Sequence, residues 1–449
     1  MSGNIKDSVL LSTFYNGKKK LRIIFHNGNI VWDSEKPPSD KYILPIENVI
    51  SVHYNYLRNT HPSENREIDP NCFTIHYSER KYSKWVHKNL TLKHCDPLQV
   101  ASWVKALQNH LQSFIKRPKH LLLFVNPFGG RRNALQIYEK YGKHLFSIAG
   151  VEVTVNISQR KDQIKDYIIN HNLDMFDSIA CVGGDGTLSE LFNGLVLREC
   201  HTKGVDSDDI NQNLPSPKIP VGIIPGGSTD TIAYCIHGTT DPTTAVLHII
   251  FGDSLGLDLV SVYDEHKLLR LYASVLSYGY LGDVAYNSDK YRWMGPHRYD
   301  YSGFKKLLRN KGYQGEIAIY SESAEVQELM CSENCEKCEL SKKNGCDKVV
   351  CKWQTISGTF FMLSGANISC ACSRSPKGIA PYSHLVLIQV LWTCHLSEAY
   401  CAREFCFRAV GGHSRWNCDG EIQHQTNIRA NNIVISGQVT YLFKQIKIN

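Results

Sequence analysis

Cys181-Val-Gly-Gly-Asp-Gly-Thr-Leu-Ser-Glu190 decides the reading of this chain. The apolar run 178–182 ends in three glycines set around a single carboxylate, and a helix-forming segment, 188–192, follows at once. In a strand–turn–helix, glycines let backbone N–H groups approach an anion closely, and the first helical turn adds partial positive charge. Asp185 is the odd member, a carboxylate placed where a phosphate is expected. Its charge would repel phosphate unless it holds a metal ion or takes a proton from an attacking hydroxyl. That conflict points to phosphoryl transfer. The plainer reading of the same residues is an ordinary strand–turn–helix corner with a capping Asp.

Residues 120–126, 151–156 and 219–225 are further apolar strands, separated by helical patterns such as the one around Ile164, Ile168 and Ile169. This alternation predicts a mostly parallel sheet whose ligands gather at the carboxyl ends of the strands. Asn126-Pro-Phe-Gly-Gly130, Gly183-Gly-Asp-Gly186 and Pro225-Gly-Gly-Ser-Thr-Asp230 all fall at such ends. One Gly-rich turn is a weak signal; three in this order are a strong one. From about residue 255 strand-like segments dominate, including 269–275, 315–320 and 358–363, and predict a second, largely antiparallel unit.

Before residue 116 the pattern is of short strands at 8–14, 21–25, 29–32, 48–53 and 72–77, with hairpin turns at Asn16-Gly17 and Asn27-Gly28. A helix over 96–111 closes the segment: Asp96 caps it, Pro97 opens it, and Val100, Trp103, Val104, Leu107 and Leu111 form one stripe. Residues 116–119 read as a polar linker. Strands followed by a Trp-bearing amphipathic helix resemble a pleckstrin-homology domain, with Lys18-Lys-Lys-Leu-Arg22 where that family places its lipid-headgroup loop. The same basic run also reads as a solvated turn.

The totals set limits. With 449 residues, 42% of them hydrophobic and 21% charged, the chain is globular and long enough for two or three domains. A net charge of +7 is too small to argue for nucleic acid and suits anionic phosphates or an anionic membrane face. No apolar run reaches the length of a membrane span, and residues 1–7 carry no apolar signal core, so reduced thiols in a cytoplasmic protein are expected.

The three loops together resemble the diacylglycerol-kinase catalytic superfamily of lipid kinases, and with the pleckstrin-like front they resemble its ceramide kinase branch. That resemblance implies an α/β + β fold: a pleckstrin-like β-barrel with a C-terminal helix over 1–115, then a two-lobed kinase. Its three-layer α/β nucleotide-binding lobe would cover 116–255 and its antiparallel β-rich lobe 256–449. It implies ATP and Mg²⁺ as cofactors and transfer to the primary hydroxyl of ceramide, with Asp185 as general base. Asn126, Pro127, Phe128, Ser158, Glu190, Ser228, Thr229, Asp419, Gly420 and Glu421 would line the ATP site. Gly183, Gly184, Asp185, Gly186 and Asp283 would meet the lipid substrate, and Arg292 and Arg298 a phosphate or membrane lipid. The family also implies a protein peripheral to a membrane, Golgi or plasma membrane, with phosphoinositides as a partner of residues 1–115.

Cys331, Cys335 and Cys338 form a close-set cluster in a Lys/Glu-rich loop, a candidate zinc (or calcium) or redox site whose spacing matches ceramide kinases. Cys370-Ala-Cys372 matches them too. After His384 the superfamily carries an acidic loop, and here the chain runs straight into Leu385-Val-Leu-Ile-Gln389. Part of the C-terminal lobe near 385–412 is therefore expected to be missing or replaced, and activity lowered. Sphingosine or diacylglycerol as substrate, a catalytically impaired lipid-binding regulator, and an NAD kinase sharing the Gly-Gly-Asp-Gly turn are the other readings.

Overall fold

The computed structural model describes residues 9–34, 41–57, 67–322, 351–378, 386–392, 397–411 and 414–440, apart from positions 131, 253, 296, 309–311, 374, 403, 425 and 426. Strands β1 (Leu10–Asn16), β2 (Lys19–His26), β3 (Asn29–Ser34), β4 (Tyr42–Pro45), β5 (Val49–Tyr56), β6 (Ile68–Lys81) and β7 (Lys84–Lys93) form an antiparallel sheet, ordered β4-β3-β2-β1-β7-β6-β5. Asn27 and Gly28 turn the β2–β3 hairpin with φ of 48 and 69°, the left-handed pair that a two-residue turn requires. Helix α1 (Pro97–Gln112) lies on this sheet; the Asp96 carboxylate accepts the Leu98 N–H at 2.9 Å, as its capping position predicts. Trp103 is fully buried by α1, meets Phe14 edge-on, and donates its indole N–H to the Ser12 hydroxyl.

The 116–119 stretch is a packed joint rather than a loose linker. The Arg117 guanidinium donates to the Val49 and Glu47 carbonyls at 2.7 and 2.8 Å and lies over the rings of Phe114 and Phe251. Beyond it come β8 (His120–Val125), α2 (Ala134–Ile137), α3 (Lys143–Ala149), β9 (Glu152–Ile157), α4 (Gln163–Asn170), β10 (Ser178–Gly183), α5 (Asp185–Lys203), β11 (Val221–Pro225), α6 (Thr231–His237) and α7 (Pro242–Phe251). The four strands run parallel in the order β11-β10-β8-β9. Every residue of β10 and β11 is buried because helices cover both faces, which is why these strands read as continuous apolar runs. One face packs α4, α5 and α6 through Ile168, Leu191 and Ile232; the other packs α2, α3 and α7 through Ile137, Phe146 and Val246.

The remaining chain gives β12 (Ser254–Tyr263), β13 (Leu268–Tyr272), β14 (Val275–Gly279), α8 (Tyr280–Ser288), α9 (His297–Leu307), β15 (Tyr313–Glu322), β16 (Cys351–Ala366), β17 (Val386–Trp392), β18 (Ser397–Ala402), β19 (Glu404–Gly411), β20 (Trp416–Cys418), β21 (Glu421–Gln423) and β22 (Ile428–Thr440). These strands are antiparallel to one another and close on a core containing Tyr278, Phe360, Phe407 and Trp416. β22 ladders on β12 and β19 and then pairs in parallel with β11 at Val221 and Val439, so both regions belong to one fifteen-stranded sheet. One finding departs from the sequence reading. Helices α8 and α9 occupy a region expected to be mainly strands. The segment expected to be missing or replaced supplies β17, β18 and β19, with β17 laddered on β16 and β19 laddered on β15 and β22.

Candidate active site

The three Gly-rich loops meet. The Asn126 N–H donates to the Val182 carbonyl and the Gly226 N–H to the Gly183 carbonyl, so the loops after β8 and β11 are both sewn to β10. Their backbones touch so closely that a Cβ on Gly130 would stand 2.5 Å from the Gly226 oxygen, and one on Gly227 2.6 Å from the Gly184 Cα. No side chain fits between them. Asn126 fixes the first loop, accepting the Phe128 N–H on Oδ1 at 3.0 Å and donating from Nδ2 to the Thr187 hydroxyl at 2.9 Å. Asp230, at φ 52°, accepts the Gly227 N–H at 2.8 Å and fixes the third.

These loops floor a cleft of about 540 Å³ between the parallel strands and the antiparallel region. Of the residues expected at a nucleotide, Asn126, Phe128, Glu190, Ser228, Thr229, Asp419, Gly420 and Glu421 line it, as do Gly184, Asp185 and Gly186. Pro127 and Gly183 lie outside the lining. Ser158, expected there with its neighbours, is buried outside the lining with its N–H and hydroxyl both donating to the Val125 carbonyl, and the neighbours Gln159, Arg160 and Lys161 line the cleft. Arg160 and Lys161 bring a basic pair to the cleft from beyond the carboxyl end of β9.

Asp185 opens α5, and its carboxylate reaches the first turn of α6. Oδ2 accepts the Thr231 N–H at 3.0 Å and Oδ1 the Ile232 N–H at 2.9 Å. Burial raises its pKa from the ordinary 3.8 to about 6; the Ile232 amide offsets part of this, while the Asp419 carboxylate pushes it further up. The Thr231 hydroxyl lowers it as well, and the carboxylate keeps acceptor capacity for a proton beyond these bonds.

Asp419 behaves differently. Its carboxylate accepts the N–H groups of Ala273, Ser274 and Val275 and the Ser274 hydroxyl, at 2.6, 2.9, 3.0 and 2.5 Å. It holds the turn of Asp419 and Gly420, at φ 48 and 88°, against the β13–β14 connection. It is a structural anchor at the cleft wall, with Oδ1 taking three of these bonds and Oδ2 one. Next to it, the Glu421 carboxylate crosses the cleft to the Lys161 ammonium at 2.6 Å. Glu190 is buried behind the loop, and burial raises its pKa while the Asp162 amide opposes that rise.

Arg298 is the cation of the opposite wall. Its Nη2 donates to the Tyr299 hydroxyl at 2.6 Å, Asp289 stands 3.6 Å from Nη1, and Nε is buried with no hydrogen-bond partner among the described residues. A buried N–H without an acceptor is costly, and Arg298 itself is part of the cleft lining.

A model described as the diacylglycerol kinase catalytic domain matches residues 120–262, and one described as the ceramide kinase C-terminal domain matches 274–405. The chain is 34% identical over 370 residues to the Homo sapiens ceramide kinase, covering 78% of this chain and 69% of that protein. The Mus musculus ceramide kinase gives 35% over 369 residues, covering 78% and 70%. The chain belongs to the ceramide kinase family. Among solved structures, a Bacillus anthracis str. Sterne protein assigned as a diacylglycerol kinase superposes with a TM-score of 0.51 at 14% identity, over 72% of this chain and 98% of that one, which bears on fold alone.

Membership makes the chain a lipid kinase and brings a nucleotide and a divalent cation with it. The ceramide kinase match also runs through 385–405, the stretch that the sequence reading set apart as foreign. Asp283, expected at the lipid, lies on α8 away from the cleft lining, with its carboxylate occupied by Lys306, the Tyr313 hydroxyl and the Ser414 hydroxyl. Burial would raise its pKa, but these partners hold it below the ordinary value. Cys331, Cys335 and Cys338 lie outside the described residues; among the described ones no group of three His, Cys, Asp or Glu is placed to hold a metal. No helix among them is long and apolar enough to cross a membrane.

Proposed function

We propose that this chain transfers the γ-phosphoryl group of ATP to the primary hydroxyl of ceramide, giving ceramide 1-phosphate, at the surface of a membrane. The observation that carries the reading is the side-chain-free floor of the cleft, where any Cβ on Gly130 or Gly227 would strike backbone. Such a floor fits phosphate oxygens held by backbone N–H groups. The amides of the loops after β10 and β11 would hold the phosphates, and the Arg298 guanidinium, from the cleft lining, would pair with the transferring group. Mg²⁺ would supply charge neutralisation when bound, and it characteristically takes one or two carboxylates plus phosphate oxygens; Glu421, in the cleft lining, would hold it.

Asp185 then acts on the alcohol. The ceramide oxygen bonds to the γ-phosphorus as the bond to the β-phosphate oxygen breaks; the hydroxyl proton passes to the Asp185 carboxylate and ADP leaves. Labelled ATP offered with ceramide, sphingosine and diacylglycerol tests the reading. Label in ceramide 1-phosphate supports it, label only in another product changes the substrate, and vesicle binding with no transfer favours a regulator. Arg298→Ala should lower kcat with ATP by about 10²–10³-fold, the usual cost of one such donor. An unchanged kcat would remove Arg298 from the phosphate.

Residues 1–115 are read as the pleckstrin-like domain, 116–255 as the nucleotide lobe and 256–449 as the lipid-side lobe. Seven antiparallel strands closed by α1 support the first assignment, and the basic β1–β2 hairpin supports anionic lipid headgroups such as phosphoinositides as its partner. A membrane encounter is further supported by α9. Phe304 and Leu308, 63% and 72% exposed, sit one turn apart, and Trp293, just before the helix, is 82% exposed. Large apolar groups this bare, beside Lys305, suit insertion at a lipid interface. The double variant Trp293→Ser, Phe304→Ser should raise the apparent KM for vesicle-borne ceramide at least about fivefold. It should leave turnover of detergent-dispersed short-chain ceramide unchanged; equal loss on both would refute a membrane role.

A further inference from the structure

The buried histidines His237 and His248 take no part in the chemistry described so far. They close a chain of contacts that runs from the N-terminal sheet to Asp185. His237 ends α6, the helix whose first two amides hold the Asp185 carboxylate. Its Nε2 lies 3.0 Å from the Ile223 carbonyl and must carry the proton, so Nδ1 is an acceptor. His248, on α7, places Nδ1 at 2.9 Å from that atom and must be the donor. Both rings are then neutral, and the His248 Nε2 is buried with no hydrogen-bond partner among the described residues.

The N-terminal sheet sits on this couple. Trp85 of β7 packs edge-on at 6.4 Å from the His248 ring, and its backbone N–H donates to the Thr244 hydroxyl at 3.0 Å. Lys84 pairs with Asp241 at the start of α7, and Ile50 of β5 is buried in the core that α7 shares with the parallel strands. The groups facing the couple are Arg80 and each ring toward the other; those facing Asp185 are Asp419 and the thiols of Cys181, Cys235 and Cys370.

We propose that His237 and His248 are positioning residues that seat α6, and that Trp85 clamps them, so that docking of residues 1–115 sets how firmly the α6 amides hold the Asp185 carboxylate. This rests on the reading of Asp185 as base. A small shift of α6 would lengthen the bonds to Thr231 and Ile232, and those bonds favour the ionised form. Losing them weakens the base's placement and moves its titration upward.

The test compares His248→Leu, His248→Asn and Trp85→Ala in the full chain, reading kcat, KM for ATP and the pH dependence of kcat/KM. His248→Leu and Trp85→Ala are expected to lower kcat about tenfold or more, with KM for ATP little changed, and to shift the acid limb to higher pH. His248→Asn, whose amide N–H can replace the Nδ1 donor, should recover most of both. Variants that melt earlier yet keep the wild-type acid limb and kcat would overturn the proposal and leave the couple as packing. If His248→Leu does not fold, Trp85→Ala at the half-buried seam decides alone. Failure here is distinct from failure of the base assignment, which Asp185→Asn tests directly.

Discussion

Asp185→Asn should abolish phosphoryl transfer, a loss of about 10³-fold or more, while the protein stays folded. The substitution removes the only proton acceptor assigned to the alcohol and keeps the side chain's shape. One of the two α6 bonds is lost, because the new amide nitrogen faces a backbone N–H, at a cost of about 1 kcal/mol. A buried charge is removed at the same time. A carboxylate raised from 3.8 to about 6 makes the native state favour its protonated form, so it withholds stability as pH rises through that window. Replacing it relieves this at neutral pH, and the two effects oppose. The melting temperature should therefore move by only a few degrees, about 2–4 °C at most. In the wild type, kcat/KM for ceramide should rise with pH along an acid limb near 6, where Asp185 ionises. Transfer retained by the variant, or a limb near pH 4, would reject Asp185 as base.

Asp419→Ala should be the most destabilising single change at the cleft, costing about 3–5 kcal/mol. It would strip acceptors from three backbone N–H groups and one hydroxyl, all but the Val275 N–H buried, and place alanine at a left-handed φ of 48°. Asp419→Asn tolerates that φ and keeps one acceptor, so it should cost clearly less. Chemical denaturation of the two variants checks the order. If Asp419→Ala unfolds like the wild type and loses only ATP affinity, the anchor reading fails in favour of direct nucleotide contact.

Much of this was legible beforehand, for physical reasons that differ by region. β8, β10 and β11 announce themselves because strands buried on both faces must be apolar throughout, and the turns that follow must be glycine where backbones meet. Helix α1 is legible from Asp96, Pro97 and its stripe. β7 was missed because Lys84, Lys88 and Lys93 belong to a strand with much of its surface exposed, where alternation is faint. Helices α8 and α9 were missed because Tyr286 and Phe304 read as strand residues, and local composition carries no trace of the partner face. At the site, the residue types and loops were legible; the direction in which a carboxylate points was not. Asp419 and Asp283 look from sequence like ligands, yet each is taken up by groups many residues away, Ser274 for one and Lys306 for the other.

β22 has a consequence for how the molecule is assembled. Its ladder with β12 joins residues more than a hundred positions apart, and its last pairing covers the flank of β11. During synthesis the nucleotide-side strands leave the ribosome long before this seam can close, so β11 and β12 wait as uncovered borders on which a neighbouring chain could nucleate. The lag is built into the topology, and a holdase that shields those borders until residues 428–440 arrive would raise the yield of native protein.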